Sequence, residues 1–146
     1  MLDIKDSLII RIFKKKDQKE IINLWNKCDL VKPWNDSIKD ILRKKKVQNE
    51  LFLVGEYDNS IIASIMAGYD GHRGNIYYLA VDCKFRKNGI GKLLMNIIEK
   101  KLLMMSCPKI NLTIRNTNLK IENFYKAIGF EKQKSVIYGK RIIEDD

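Results

Sequence analysis

Proline is scarce in this chain of 146 residues, with two, and histidine is scarcer, with one. So few prolines beside an apolar share of 45% exclude a collagen-like or disordered chain and suit a folded globular one. No apolar run approaches the ~20 residues that a membrane-spanning helix needs, so no membrane partner is expected. No apolar leader stands at the N-terminus, and the expected location is cytoplasmic. Cys28, Cys83 and Cys107 are odd in number and widely spaced. They match neither a disulfide framework nor a paired-cysteine zinc pattern, and no metal site is expected. They read as reduced structural or surface thiols.

Acidic residues are outnumbered, 18 against 28 lysines and arginines, which leaves a net charge of +10. The basic residues gather at 14–16, 43–46, 84–92 and 100–101. Such a surface suits nucleic acid, an acidic partner or an anionic cofactor. No recognition-helix signature or aromatic-basic platform accompanies it, so no specific nucleic-acid partner is expected. Outside 84–92 the basic runs read as solvated faces.

The length fits one domain over 1–146. Leu8 to Phe13 alternates as a first strand. Asp17, with Glu20 three residues on, has the form of a helix start, and Ile21, Leu24, Trp25 and Cys28 follow at helical spacing. Asn35 or Asp36 opens a second helix with Ile38, Ile41 and Leu42 on its apolar face. Strands are expected over Leu51–Tyr57, Ile61–Ala67 and Asn75–Val81, joined by the turns at 58–60 and 68–74 into an antiparallel meander. Ile90, Leu93, Leu94, Ile97, Ile98 and Leu102 then mark one face of a helix that ends near Ser106. Ile110, Leu112 and Ile114 alternate as a strand. Asn118 opens a last helix that carries Ile121, Phe124, Tyr125 and Ile128, with Gly129 just past its end. Phe130 to Ile143 supplies one or two closing strands.

Chemistry concentrates at one corner, where the strand ending Leu79-Ala80-Val81 runs into Arg86-Lys87-Asn88-Gly89-Ile90-Gly91-Lys92 and then directly into a helix. Glycines admit a ligand to the backbone, and a helix N-terminus presents unpaired N–H groups and a positive dipole end. The amides of Lys87, Asn88, Gly89, Ile90 and Gly91 can curl around a pyrophosphate, with Arg86 and Lys92 as cations at the rim. A dinucleotide fingerprint is excluded because Leu94 stands where its third small residue belongs. A nucleoside-triphosphate loop is excluded because Arg86 replaces its first glycine and Leu93 its hydroxyl residue.

Leu79-x-Val81 followed by Arg86-x-x-Gly89-x-Gly91 resembles the acyl-coenzyme-A signature of the GNAT superfamily of N-acetyltransferases. Asn118, with Phe124-Tyr125-Lys126-Ala127-Ile128-Gly129-Phe130, resembles that superfamily's second signature. The likeness extends over essentially the whole chain. It implies an α+β fold with a central, mixed but mostly antiparallel sheet flanked by about four helices. It implies acetyl-CoA as co-substrate, with the 87–91 amides on the pyrophosphate and Arg86 at the head of the loop. Leu79 and Val81 are implied to offer backbone groups to the pantetheine arm and thioester carbonyl, where a donor stabilises the oxyanion. Asn118 is implied to bond the arm, and Tyr125 to protonate the departing thiolate. On the residues alone, Asn118 is also an adequate helix cap and Tyr125 an adequate core side chain.

The general base is open. Many members use a glutamate on the meander, but 75–81 holds none, with Tyr77 and Tyr78 at its centre. Glu56, His72 or an ordered water are the candidates. Trp34 and Asn35, in the connector of the first two helices, and Asp70, in the turn after the second meander strand, are candidate acceptor contacts, although Trp34 also suits packing between those helices. Pro33-Trp34-Asn35-Asp36 together with the Tyr69–Gly74 turn, which holds Asp70, is similar to a small bacterial group of the superfamily. That likeness implies no particular acceptor.

The leading expectation is acetyl transfer to a primary amine by direct attack in a ternary complex. The amine belongs to a small molecule, a protein N-terminus or a lysine. An acyl-CoA sensor without catalysis is the alternative, and nucleic-acid binding a third reading. The sequence leaves the oligomeric state open, a homodimer included.

Overall fold

The computed structural model describes residues 4–115 and 118–145. In chain order the elements are α1 (Ile4–Ser7), β1 (Ile9–Ile12), α2 (Gln18–Lys27), α3 (Ser37–Lys45), β2 (Phe52–Tyr57), β3 (Ser60–Tyr69), β4 (Gly74–Val81), α4 (Ile90–Met104), β5 (Ile110–Asn111) and α5 (Leu119–Ala127). The five strands form one sheet in the order β1-β2-β3-β4-β5. Every pairing is antiparallel except β4 with β5. This is the mixed, mostly antiparallel α+β arrangement expected. The single turn α1 is an addition to it. Among the described residues no helix is long and apolar enough to cross a membrane.

Strand alternation sends side chains to both faces, and each face has its own core. On one, Leu53, Ile65 and Ile76 meet Ile90, Leu94, Ile98 and Leu102 of α4. On the other, Phe52, Val54 and Met66 meet Ile21, Leu24 and Trp25 of α2 and Ile41 of α3. The helices sit where their apolar periodicity predicts, because a stripe at 3.6-residue spacing must cover an apolar sheet face.

Three expectations need correction. The Asp17–Glu20 box does not form. Asp17 takes a bidentate grip from Arg11 (2.7 and 2.9 Å) and the Lys14 N–H at 2.8 Å, and Glu20 accepts the Ile61 N–H at 3.0 Å. A half-buried guanidinium competes better for that carboxylate than a helix N–H does. The strand expected from Ile110 to Ile114 stops at Asn111, where the ladder with β4 ends. The closing strands over Phe130–Ile143 are absent: among the described residues this segment carries no strand, and 131–144 are exposed. A two-residue β5 offers too short a ladder for another strand to extend.

The consequential irregularity is in β4. Met66 pairs Tyr77 and Ser64 pairs Ala80, so Tyr78 and Leu79 together oppose the single residue Ile65. This is a β-bulge, and Tyr78 carries it at φ 51°. Ile76 and Tyr78, two residues apart, consequently pack into opposite cores.

Candidate active site

The corner at the end of β4 is built from left-handed backbone and an open helix start. Asp82 accepts the Lys84 N–H at 3.0 Å and holds a short 3-10 turn over Cys83–Phe85. Lys87 and Gly89 then adopt φ 66° and 76°. The Asn88 side chain donates to the Phe85 and Arg86 carbonyls at 3.0 and 3.3 Å, which pins the loop. The first bond of α4 runs from Leu93 N–H to the Gly89 carbonyl, 3.0 Å. Amides of the preceding residues therefore lack a helix partner, and the geometry suits an anion.

The two glycines answer to different constraints. A Cβ at position 89 would lie 2.7 Å from Lys5 Nζ and 3.1 Å from its Cε. Lys5, on α1, thus lays an ammonium directly on the loop. No sequence signal marks Lys5, because nothing local links residue 5 to residue 89. A Cβ at position 91 would lie 3.2 Å from Phe124 Cζ and 3.9 Å from Val81 Cγ2. Gly91 lets α5 approach the end of β4. Ile90 is buried in the α4 core, while Lys92 is exposed.

Arg86 is exposed and folds back on the strand end. Its Nε donates to the Val81 carbonyl at 3.0 Å, and a terminal nitrogen lies 3.6 Å from Cys28 Sγ, itself 3.6 Å from the same carbonyl. One backbone group expected to face the arm is therefore held by the chain itself. Cys28 sits beside this strand end.

Tyr125 is 8% exposed, with its ring edge-on to Phe124 (5.1 Å) and Phe130 (5.7 Å). Burial pushes its phenol up to about 12, so it keeps its proton at neutral pH. With Leu102, Cys107, Ile110 and Leu112 it lines a cavity of about 940 Å³. Asn118 precedes α5 and is exposed, and its side chain makes no capping bond.

On the other face of β4, Tyr78 stacks on Trp25 with ring centroids 3.9 Å apart. Its hydroxyl donates to Asp40 of α3 at 2.6 Å. Burial and this carboxylate both push its phenol upward. Asp145, near the chain end, is gripped by Arg43 of α3 at 2.8 and 2.9 Å. Trp34 is 54% exposed and carries Arg115 over its ring at 5.4 Å, so it does not fill the gap between α2 and α3. Asn35 accepts from Arg141 at 3.1 Å. Trp34 and Asn35 thus meet side chains from the chain's C-terminal third.

Three candidates are not brought to this corner. Glu56 lies on β2, two strands from β4, and accepts from Arg11 Nε at 3.0 Å. His72 and Asp70 lie in the β3–β4 turn. Asp70 spends its carboxylate on the His72 and Arg73 N–H groups (2.8 and 2.7 Å), which hold its pKa down. From this turn to Leu79 is about 20 Å at ~3.3 Å per residue. Sheet position thus separates Glu56 from Leu79, and strand rise separates His72 from it.

The fold is shared with known acetyltransferases. Ard1 from Thermoplasma volcanium superposes with a TM-score of 0.72 at 24% identity, covering 86% of this chain and 83% of that one. The aminoglycoside 6'-N-acetyltransferase AAC(6')-IG from Acinetobacter haemolyticus gives 0.73 at 18% identity, covering 93% and 99%. The aminoglycoside N-acetyltransferase AAC(6')-Iy, in complex with CoA, gives 0.72 at 16% identity, covering 93% and 95%. The family model "Acetyltransferase (GNAT) family" matches residues 19–130. With that match over most of its length, the chain belongs to the GNAT acetyltransferase family, whose co-substrate is acetyl-CoA.

Proposed function

We propose that this protein is an N-acetyltransferase that moves the acetyl group of acetyl-CoA to a primary amine by direct attack in a ternary complex. The observation that carries the reading is the end of β4. There the strand bulges at Tyr78, has lost its β5 neighbour, and runs into a left-handed, helix-opening loop. A ladder without a partner leaves outward backbone groups for an extended ligand.

Asp82 N–H bonds the Ile62 carbonyl at 2.8 Å. Ala80 and Asp82 therefore face β3, and Leu79 and Val81 present their amides to the opposite side. These, with the Leu79 carbonyl, suit the pantetheine arm. The amides of Lys87–Gly91 and the Lys5 ammonium suit the pyrophosphate, and Asn118 remains a candidate for the arm. Acetyl-CoA supplies an acetyl thioester. In the transfer a nitrogen–carbon bond forms and the carbon–sulfur bond breaks. The nitrogen gives up a proton, and the departing sulfur takes one. Protonated Tyr125 is the proton source, joined to the corner through Phe124 on Gly91. Water carries the amine's proton, since Glu56 and His72 lie elsewhere. Trp34, Asn35, Tyr78 and Asp40 stand on the acceptor side.

Thiol release from acetyl-CoA across a panel of amines tests this. At least one primary amine should accelerate release and appear acetylated by mass spectrometry. Tight CoA binding with no stimulation by any amine would favour the sensor reading instead.

A further inference from the structure

Ser64 is a polar side chain with 0% exposure, in the middle of β3, between two partners. It accepts the Trp25 Nε1–H at 2.9 Å and donates to the Tyr78 carbonyl at 2.7 Å. The second bond is unusual for a sheet interior. The bulge takes Tyr78 out of the backbone ladder, and a side chain from β3 captures the carbonyl that the ladder has released. Trp25 constrains this bond twice. Its indole N–H occupies a lone pair of the hydroxyl, so the hydroxyl hydrogen goes to Tyr78, and its ring stacks on the Tyr78 ring.

A peptide bond is planar, and no cis bond occurs among the described residues. The Tyr78 carbonyl and the Leu79 N–H therefore point in opposite directions. Holding the carbonyl toward β3 holds that N–H away from it, on the side that β5 has vacated. A left-handed φ at a non-glycine residue persists only when its surroundings enforce it. Here Ser64 holds the Tyr78 carbonyl, while Trp25 and Asp40 hold its ring and hydroxyl.

We infer that Ser64, oriented by Trp25, is a positioning residue that aims the Leu79 N–H at the thioester carbonyl. It touches neither substrate. It acts by keeping the peptide between Tyr78 and Leu79 from rotating, so the donor needs no reorganisation when charge develops on the carbonyl oxygen. The inference rests on the acetyl-CoA reading above and adds what sets the donor's direction.

The test is the carbonyl stretch of acetyl-CoA carrying carbon-13 at the thioester carbonyl, measured bound at saturation. Wild type should shift the band to lower frequency than in water. Ser64→Ala should bind CoA within about twofold of wild type yet lose most of the shift, and its kcat should fall at least about tenfold. Ser64→Thr should restore both. Trp25→Phe, which leaves the hydroxyl on Tyr78, should lose less than Ser64→Ala. If Ser64→Ala does not fold, Ser64→Cys, a weaker and longer donor, should give an intermediate shift. A full wild-type shift in Ser64→Ala or Ser64→Cys overturns the inference. So does a kcat loss that Ile98→Val reproduces at equal loss of Tm. A wild-type protein that binds no acetyl-CoA overturns the underlying reading instead.

Discussion

The Tyr78 hydroxyl and the Asp40 carboxylate meet at 2.6 Å, tying the bulge of β4 to α3. The same helix carries Arg43, which holds Asp145. The wall proposed to receive the acceptor is thereby braced against the strand proposed to hold the donor. Tyr78→Phe keeps the ring stack and removes this bond. It should cost about 1 kcal/mol of stability and raise the KM of the acceptor while leaving CoA affinity unchanged. Denaturant unfolding and steady-state kinetics on the two substrates check this.

Tyr125→Phe should slow turnover at least about tenfold and spare CoA binding, since a proton donor contributes to the chemical step and little to ground-state binding. If turnover is unaffected, water protonates the thiolate. The same residue predicts a pH effect on stability. Its phenol is raised from 10 to about 12 in the native state, so between these values the folded chain holds a proton that the unfolded chain has released. Stability should therefore fall as pH rises through this window, and Tyr125→Phe should reduce the slope. Urea midpoints measured from about pH 9 to about pH 12 read it.

Gly89→Trp should abolish CoA binding, because any side chain there is strained at φ 76° and meets Lys5. Lys5→Ala separates the two effects. It leaves the loop backbone intact and should weaken CoA binding about fivefold at low salt, less as salt rises. Titration calorimetry at two ionic strengths decides whether Lys5 faces the anion.

His72→Ala and Glu56→Gln should each leave kcat within about threefold of wild type. The phenotype of Glu56→Gln should be lower stability, through the lost charge on Arg11. A tenfold or greater loss of kcat in either variant would return that residue to the role of general base.

Asp17→Asn should destabilise by about 3 kcal/mol, because it leaves the Arg11 guanidinium short of a buried partner. Burial raises the Asp17 pKa, but the Arg11 hydrogen bonds and the Lys14 N–H outweigh it, and the net direction is down. A carboxylate lowered on folding contributes stability at pH values above its unfolded value of about 3.9. That contribution is lost as pH falls through the native value. Acid unfolding of the wild type should therefore be steeper than that of Asp17→Asn.

What the residues disclosed was whatever short-range chemistry carries. Helical spacing marked the buried faces of α2, α3 and α4, since 3.6-residue periodicity is a local property. Alternation and turn residues marked β2, β3 and β4. The loop from Arg86 to Gly91 was visible because its glycines and the helix behind it are contiguous. The closing strands expected over Phe130–Ile143 do not form, because alternation reports a capacity to pair and not the presence of a partner edge.

By itself, then, the sequence determined the order of elements from β1 to α5, the two apolar faces of the sheet and the family to which its motifs belong. Tertiary structure alone decided who meets whom. It placed Lys5 on Gly89, folded Arg86 back on Val81, and set Glu56 two strands from β4. It also turned Tyr78 to the face opposite Ile76, which strict alternation forbids. The physical reason is common to all of these. A bulge, a bidentate ion pair or a buried serine between two strands is stabilised by groups tens of residues apart, and no local window contains both partners.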